Sequence, residues 1–204
     1  LINVPAGDLM QGGDGLAGVP GREIAFRDAV TQAIDYARAL DVPSVNILAG
    51  KQPLDADLLH CLRTLASNLK IATQLLSDAG IQPVFEMING TDMPRFLLQN
   101  IAQAQEMLEA VQHPALKMQY DCYHMAMMGE DVLQALKENI DAIGHIQFAD
   151  CPGRHQPNTG EIDYAAIFDY LKSSLYTGYV AAEYRPTPDS NGSLAWKSAF
   201  FPQA

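Results

Sequence analysis

Short apolar runs and longer stretches with helical spacing take turns along this chain. Residues 1–5, 45–49, 84–88, 116–120, 145–148 and 179–183 are short, mostly apolar runs of four or five positions, the pattern of strands. Between them Phe26, Val30, Ala33, Ala37 and Leu40 recur at steps of three and four. So do Leu58, Leu62, Leu65, Leu69, Ala72 and Leu76, and again Leu97, Ile101, Ala104, Leu108 and Val111. Each set is the stripe of an amphipathic helix. Pro20 suits a helix start and Gly80 a helix end. Further helices are expected at about 131–140 and 164–171, with a short one near 193–200. Six strands thus alternate with five helices and a short sixth, which predicts a parallel sheet covered by helices. No low-complexity segment or linker divides the chain, so a single domain over 1–204 is expected.

Two architectures fit that alternation, an open doubly wound sheet and a (β/α) barrel. A dinucleotide-binding open sheet needs a GxGxxG turn between strand and helix. Gly12-Gly13-Asp14-Gly15 has another spacing and lies well before the first helical stripe. What favours the barrel is where the polar residues fall. Glu86, Asp121, Gln147 and Glu183 close or directly follow four successive apolar runs, 35, 26 and 36 residues apart. A strand–helix–strand unit takes roughly 30 residues or more, so each polar group arrives about one unit after the last. In a parallel barrel the C-terminal strand ends converge on one mouth. Three carboxylates and an amide there are hard oxygen ligands, suited to Mg²⁺ or Mn²⁺ rather than zinc.

Composition narrows the partners. A net charge of −11 with a pI near 4.7 argues against nucleic acid or an anionic membrane surface. No apolar stretch approaches the roughly 20 residues of a membrane span. Cys61, Cys122 and Cys151 are odd in number and lack CxxC spacing, which suits a reduced, cytoplasmic setting. The chain opens in a strand-like run without an initiator methionine, and reads as lacking its natural N-terminus.

Several ordered motifs resemble one family. They are Asn3-Val-Pro-Ala-Gly-Asp8, Pro20-Gly-Arg-Glu23, Glu86-Met-Ile-Asn89 with Asp92-Met-Pro94, Gln119-Tyr-Asp-Cys-Tyr-His124, His145-Ile-Gln-Phe-Ala-Asp150, Pro152-Gly-Arg-His155, Thr159-Gly-Glu-Ile-Asp-Tyr164 and Gly178-Tyr-Val-Ala-Ala-Glu-Tyr-Arg-Pro186. Over its whole length the chain resembles the hydroxypyruvate isomerase family, within the xylose isomerase-like TIM-barrel superfamily. The resemblance implies an α/β (β/α)8 TIM barrel that is N-terminally truncated, with about six of eight βα units present and the first two missing. It implies that Glu86, Asp121, Gln147 and Glu183 hold a divalent metal, Mg²⁺ or Mn²⁺, and that Glu86 and Glu183 exchange protons with substrate. The family usually has Lys where Arg185 stands, which keeps the charge and changes its geometry. The loop after Asn89 also departs from the usual pattern.

The implied reaction interconverts hydroxypyruvate and 2-hydroxy-3-oxopropanoate through an enediol(ate), in glyoxylate or small hydroxy-acid metabolism. Such a substrate is a small anion, and three carboxylates around one divalent ion leave the site near −1. Arg154 and Arg185, just beyond the last two strands, stand where that charge needs compensation, and arginine suits bidentate carboxylate capture. His124 is a candidate to hydrogen-bond a substrate oxygen, and Glu161 a candidate to orient the loop carrying Arg154. Each of these residues also has an ordinary role open to it: a solvated loop carboxylate, a helix cap, a buried histidine, a solvent-facing arginine. The alternatives are a 2-oxo-tetronate isomerase or sugar epimerase, which would use the same groups, and an inactive truncated remnant, which an assay separates from both. Self-association into a homo-oligomer is left open.

Overall fold

The computed structural model describes residues 1–201. By their internal contacts these fall into two compact units, Leu1–Gln119 and Tyr120 onward. Among the described residues no helix is long and apolar enough to cross a membrane.

The first unit is built from β1 (Ile2–Asn3), α1 (Glu23–Ala39), β2 (Ser44–Ile47), α2 (Leu58–Asp78), β3 (Gln82–Glu86), α3 (Ile101–Val111) and the start of β4 (Lys117–Asp121). The strands pair in chain order and all in parallel, with Asn3 opposite Asn46, Asn46 opposite Val84 and Glu86 opposite Gln119. The helical stripes bury the expected side chains: Phe26, Val30, Ala33 and Ala37 on α1, and Leu65, Leu69, Ala72 and Leu76 on α2. Each large one contributes about 1.5–3 kcal/mol. Asp57 and Asn100 cap α2 and α3, accepting from the N–H groups of His60 and Gln103. The Asn100 cap places the start of α3 later than the apolar stripe suggests. Leu97, expected on that helix, lies in the preceding loop, where its N–H donates to the Gly50 carbonyl at 3.0 Å. Gly50 itself has φ +84°, and a Cβ there would lie 2.7 Å from the Asp14 carbonyl, so the loops after β1 and β2 touch only because no side chain intervenes. β1 is shorter than expected because Pro5 has no N–H to continue the ladder; Val4 makes the last bond, to the Asn46 carbonyl.

The second unit contains the end of β4, α4 (Cys122–Met127), α5 (Val132–Asn139), β5 (Ile143–Phe148), α6 (Tyr164–Ser173), β6 (Tyr179–Ala182) and α7 (Trp196–Phe200). β5 and β6 are parallel, with Gln147 opposite Ala181. Phe148 packs edge-on against Phe168 and Trp196, so one face of this pair is clad by α6 and α7. α4 was not foreseen, and α7 corresponds to the expected short helix.

Candidate active site

Side chains alternate between the two faces of a strand, and in this protein the polar side chains gather on one face, with Val84 and Ile143 as apolar neighbours there. On β2, Ser44 and Asn46 lie opposite Val45 and Ile47; on β3, Glu86 lies opposite Phe85. The parallel register then sets Asn3, Asn46 and Glu86 on one face of three neighbouring strands. Asn46, 1 % exposed, donates from Nδ2 to the Asn3 Oδ1 at 3.1 Å and to the Glu86 Oε2 at 3.0 Å. Glu86 is itself buried. Just beyond it Asn89 folds the β3–α3 loop, its Oδ1 accepting from the N–H groups of Thr91 and Asp92 and its Nδ2 donating to the Asp92 carboxylate. This is an Asx turn.

In the second unit Asp121 ends β4 and caps α4, its Oδ1 accepting from the Tyr123 N–H at 2.8 Å. Its Oδ2 lies 3.7 Å from both the His124 Nε2 and the Arg154 Nη2, and makes no hydrogen bond despite complete burial. Burial pushes the Asp121 carboxyl up to about 7, with Arg154 opposing the rise and Glu183 adding to it. An orphaned carboxylate oxygen in a desolvated site is costly, and a cation beside it would offset that cost. The residue therefore fits a metal ligand.

Arg154 reaches Glu183 Oε2 at 2.8 Å and lies over the Tyr123 ring, 5.0 Å from its centroid. Glu183 directly follows β6, two residues beyond Ala181, the partner of Gln147. Gln147 and Glu183 therefore share a face, opposite the face on which Phe148 meets the helices. Gln147 is half-buried and Glu183 exposed. His145, on the Gln147 face, is buried and held neutral, its imidazole pushed down to about 4 by desolvation.

The loop bearing Arg154 is organised by a residue that sequence reasoning missed. Asp150, fully buried, accepts at Oδ1 from the N–H groups of Cys151 and Ile162 and at Oδ2 from Thr159. A Cβ on Gly160 would sit 2.6 Å from the Asp150 Oδ1, so the loop closes against that carboxylate only without a side chain there. The Arg154 carbonyl accepts from the Arg185 N–H at 2.7 Å, which ties the loop to the segment after β6. Arg185 is exposed, and its side chain makes no ion pair or hydrogen bond among the described residues. Glu161, the expected orienting residue, is exposed and contributes its backbone N–H to the Cys151 carbonyl. Asn46 was legible only as a polar residue inside the apolar run 45–49, and Asp150 only as an acid shortly after a strand, with no signal separating it from loop positions.

A chain of parallel βα units that carries a desolvated carboxylate, a histidine and an arginine at its strand ends is a protein of the α/β class with its polar groups gathered at the strand ends. The family model described as xylose isomerase-like TIM barrel matches residues 2–200, and the chain belongs to that family. Hydroxypyruvate isomerase of Escherichia coli is 40% identical over 200 residues, covering 98% of this chain and 78% of the relative. A 2-oxo-tetronate isomerase of Cupriavidus necator is 37% identical, covering 96% and 75%. A crystal structure described as an AP endonuclease, family 2, from Brucella melitensis superposes with a TM-score of 0.92 at 32% identity, covering 98% of this chain and 78% of that one. The protein is thus an isomerase on a xylose isomerase-like TIM-barrel fold.

Proposed function

We propose that this isomerase interconverts hydroxypyruvate and 2-hydroxy-3-oxopropanoate. The forward reaction removes a proton from C3 of hydroxypyruvate, leaves an enediolate across C2 and C3, and returns a proton to C2, while the C3 hydroxyl gives up its proton and the C2 oxygen gains one. One of Glu86 and Glu183 takes the carbon-bound proton and the other acts at the neighbouring carbon. Glu86, Asp121, Gln147 and Glu183 would hold a Mg²⁺ or Mn²⁺ ion, which stabilises negative charge on the substrate oxygens when bound. Asp121 suits that role best, because its Oδ2 is buried without a hydrogen-bond partner. His124 lies beside that oxygen, and in this reading it hydrogen-bonds a substrate oxygen.

The observation that carries the substrate class is the position of Arg154. Its guanidinium contacts Glu183 and lies near Asp121, held by a loop closed on a buried carboxylate. A fixed arginine next to a proton carrier fits a substrate whose own carboxylate sits close to the reacting carbons, as in a three-carbon oxo-acid. Arg185 is assigned to the same anion. The reading also places all of 1–204 in one barrel domain. The 37% identity to a 2-oxo-tetronate isomerase supports a four-carbon oxo-acid as the second reading.

The test is turnover of hydroxypyruvate and 2-oxo-tetronates, followed by NMR, before and after EDTA treatment. Conversion of hydroxypyruvate that EDTA removes and Mg²⁺ or Mn²⁺ restores, and that Glu183→Gln lacks, is the expected result. Turnover of neither acid, or full activity in Glu183→Gln, overturns the reading.

A further inference from the structure

Asn46 is a second-strand residue with an unusual commitment. Its amide nitrogen has two hydrogens, and both are used: one goes to the Asn3 Oδ1 and one to the Glu86 Oε2. With the nitrogen committed to the Asn3 and Glu86 oxygens, the amide oxygen is turned away from both. The consequence falls on the other end of the group. The Asn46 Oδ1 is buried with no hydrogen-bond partner, and a buried acceptor without a donor is destabilising. An apolar side chain at this position would avoid that penalty, as Val45 and Ile47 do on the opposite face of the same strand. The arrangement therefore costs stability at one atom while fixing the orientation of another residue's carboxylate.

The register explains why the second strand supplies the donor. Asn46 is opposite Val84, two residues before Glu86 on the same face, so its amide stands alongside the path of the Glu86 side chain. Asn3, opposite Asn46, takes the second hydrogen and keeps the amide from rotating. The three side chains form a line across β1, β2 and β3 that ends on a carboxylate oxygen.

We propose that Asn46 is a positioning residue for the isomerisation, braced by Asn3 and aiming the Glu86 carboxylate at the carbon-bound proton. The inference rests on Glu86 being a proton carrier. Asn46 touches Glu86 and acts through it, so its loss should fall on the proton-transfer step rather than on substrate binding. Misplacing a reacting group by about 1 Å can cost on the order of 100-fold in rate, and partners that orient a functional group typically matter by about 10–100-fold.

Two variants test it. Asn46→Ala removes the donor; Asn46→Asp keeps the shape and replaces the donor with an acceptor. Both should lower kcat by about 10–100-fold with KM nearly unchanged. Incorporation of solvent deuterium into substrate, followed by proton NMR, should slow by the same factor. In a Glu86→Gln background, already inactive, neither substitution should lower the residual rate further. Wild-type kcat and deuterium incorporation in the shape-conserving Asn46→Asp would overturn the inference, because packing alone would then explain the residue. So would a change confined to KM. Full turnover in Glu86→Gln is a different failure: it removes Glu86 as proton carrier, and the role of Asn46 with it.

Discussion

Replacing Asp150 by asparagine changes one atom in the loop that carries Arg154, and its cost can be worked from the bonds described. The carboxylate accepts three backbone N–H groups, two at Oδ1 and one at Oδ2. An amide can present oxygen to only one of those sets. Its better orientation keeps Cys151 and Ile162 and turns an NH₂ group toward the Thr159 N–H, so one bond is lost and two donors face each other. Hydrogen bonds to a charged acceptor are worth about 1.5–3 kcal/mol, and the two survivors weaken on losing the charge. We expect Asp150→Asn to destabilise the protein by about 2–3 kcal/mol. The larger consequence is functional. The Asp150 main chain bonds to Arg154 and His155, and the Arg154 carbonyl holds the Arg185 N–H, so loosening the loop releases the guanidinium from its place beside Glu183. Urea unfolding and steady-state kinetics together decide the matter: the unfolding midpoint should fall and KM for hydroxypyruvate should rise. A variant with the wild-type midpoint and the wild-type KM would show that the carboxylate does not organise this loop.

Two further outcomes follow from the same geometry. Arg154→Ala should raise KM by about 10–100-fold, the worth of one charged hydrogen bond of about 1.5–3 kcal/mol, with a smaller effect on kcat if the residue binds ground state and transition state alike; a loss confined to kcat would assign it to the chemistry instead. In EDTA-treated protein, Asp121 has a carboxyl raised from 3.8 to about 7 by burial, so between those values the folded state binds more protons than the unfolded one. Its contribution is therefore intact below about pH 4 and is lost as pH rises through 7, and Asp121→Asn should flatten that part of the stability profile measured by urea unfolding.

The fold was readable from the chain because strand and helix rhythms are long and regular, and because Glu86, Asp121, Gln147 and Glu183 recur at the spacing of one βα unit. Boundaries were less so. The expected helix over Leu97 begins later because Asn100 supplies a side-chain cap, while Leu97 is an apolar loop residue buried against its neighbours. α4 was missed because it has only six residues, too short for a periodic pattern to show. Asp121 does double duty there, ending a strand and capping that helix. The partners of the candidate site were least legible. Asn3 and Asn46 lie 43 positions apart, and only the strand register reveals that both serve Glu86. Asp150 and Glu161 are both acids near the Arg154 loop, and nothing in their spacing shows that the first is buried against three amides while the second faces solvent.

The separation of polar from apolar strand faces also explains how this chain can hold so many charged groups without losing its fold. Barrel interiors are commonly filled by bulky branched side chains. In each unit of this protein much of the apolar packing instead lies where strands meet helices: Val45, Ile47 and Phe85 in the first, Ile146 and Phe148 in the second are all nearly inaccessible to water, while Val84 and Ile143 are buried on the other face. The other face is then free to carry Asn46 and Glu86 in one unit, and His145, Gln147 and Glu183 in the other. Burying such groups is unfavourable unless they pair, and the pairs described meet most of that need: an amide on Glu86, an arginine on Glu183, three backbone amides on Asp150. Among the groups named above, Asp121 Oδ2, Asn46 Oδ1 and His145 Nδ1 are left over. The two oxygens are acceptors, one beside a cation and a histidine and one on the amide that holds Glu86. A cation would offset the cost of burying the Asp121 oxygen, while the Asn46 oxygen is the cost of holding the amide on Glu86. Both make Asp121 and Asn46 the positions where a change in chemistry should be felt before any change in fold.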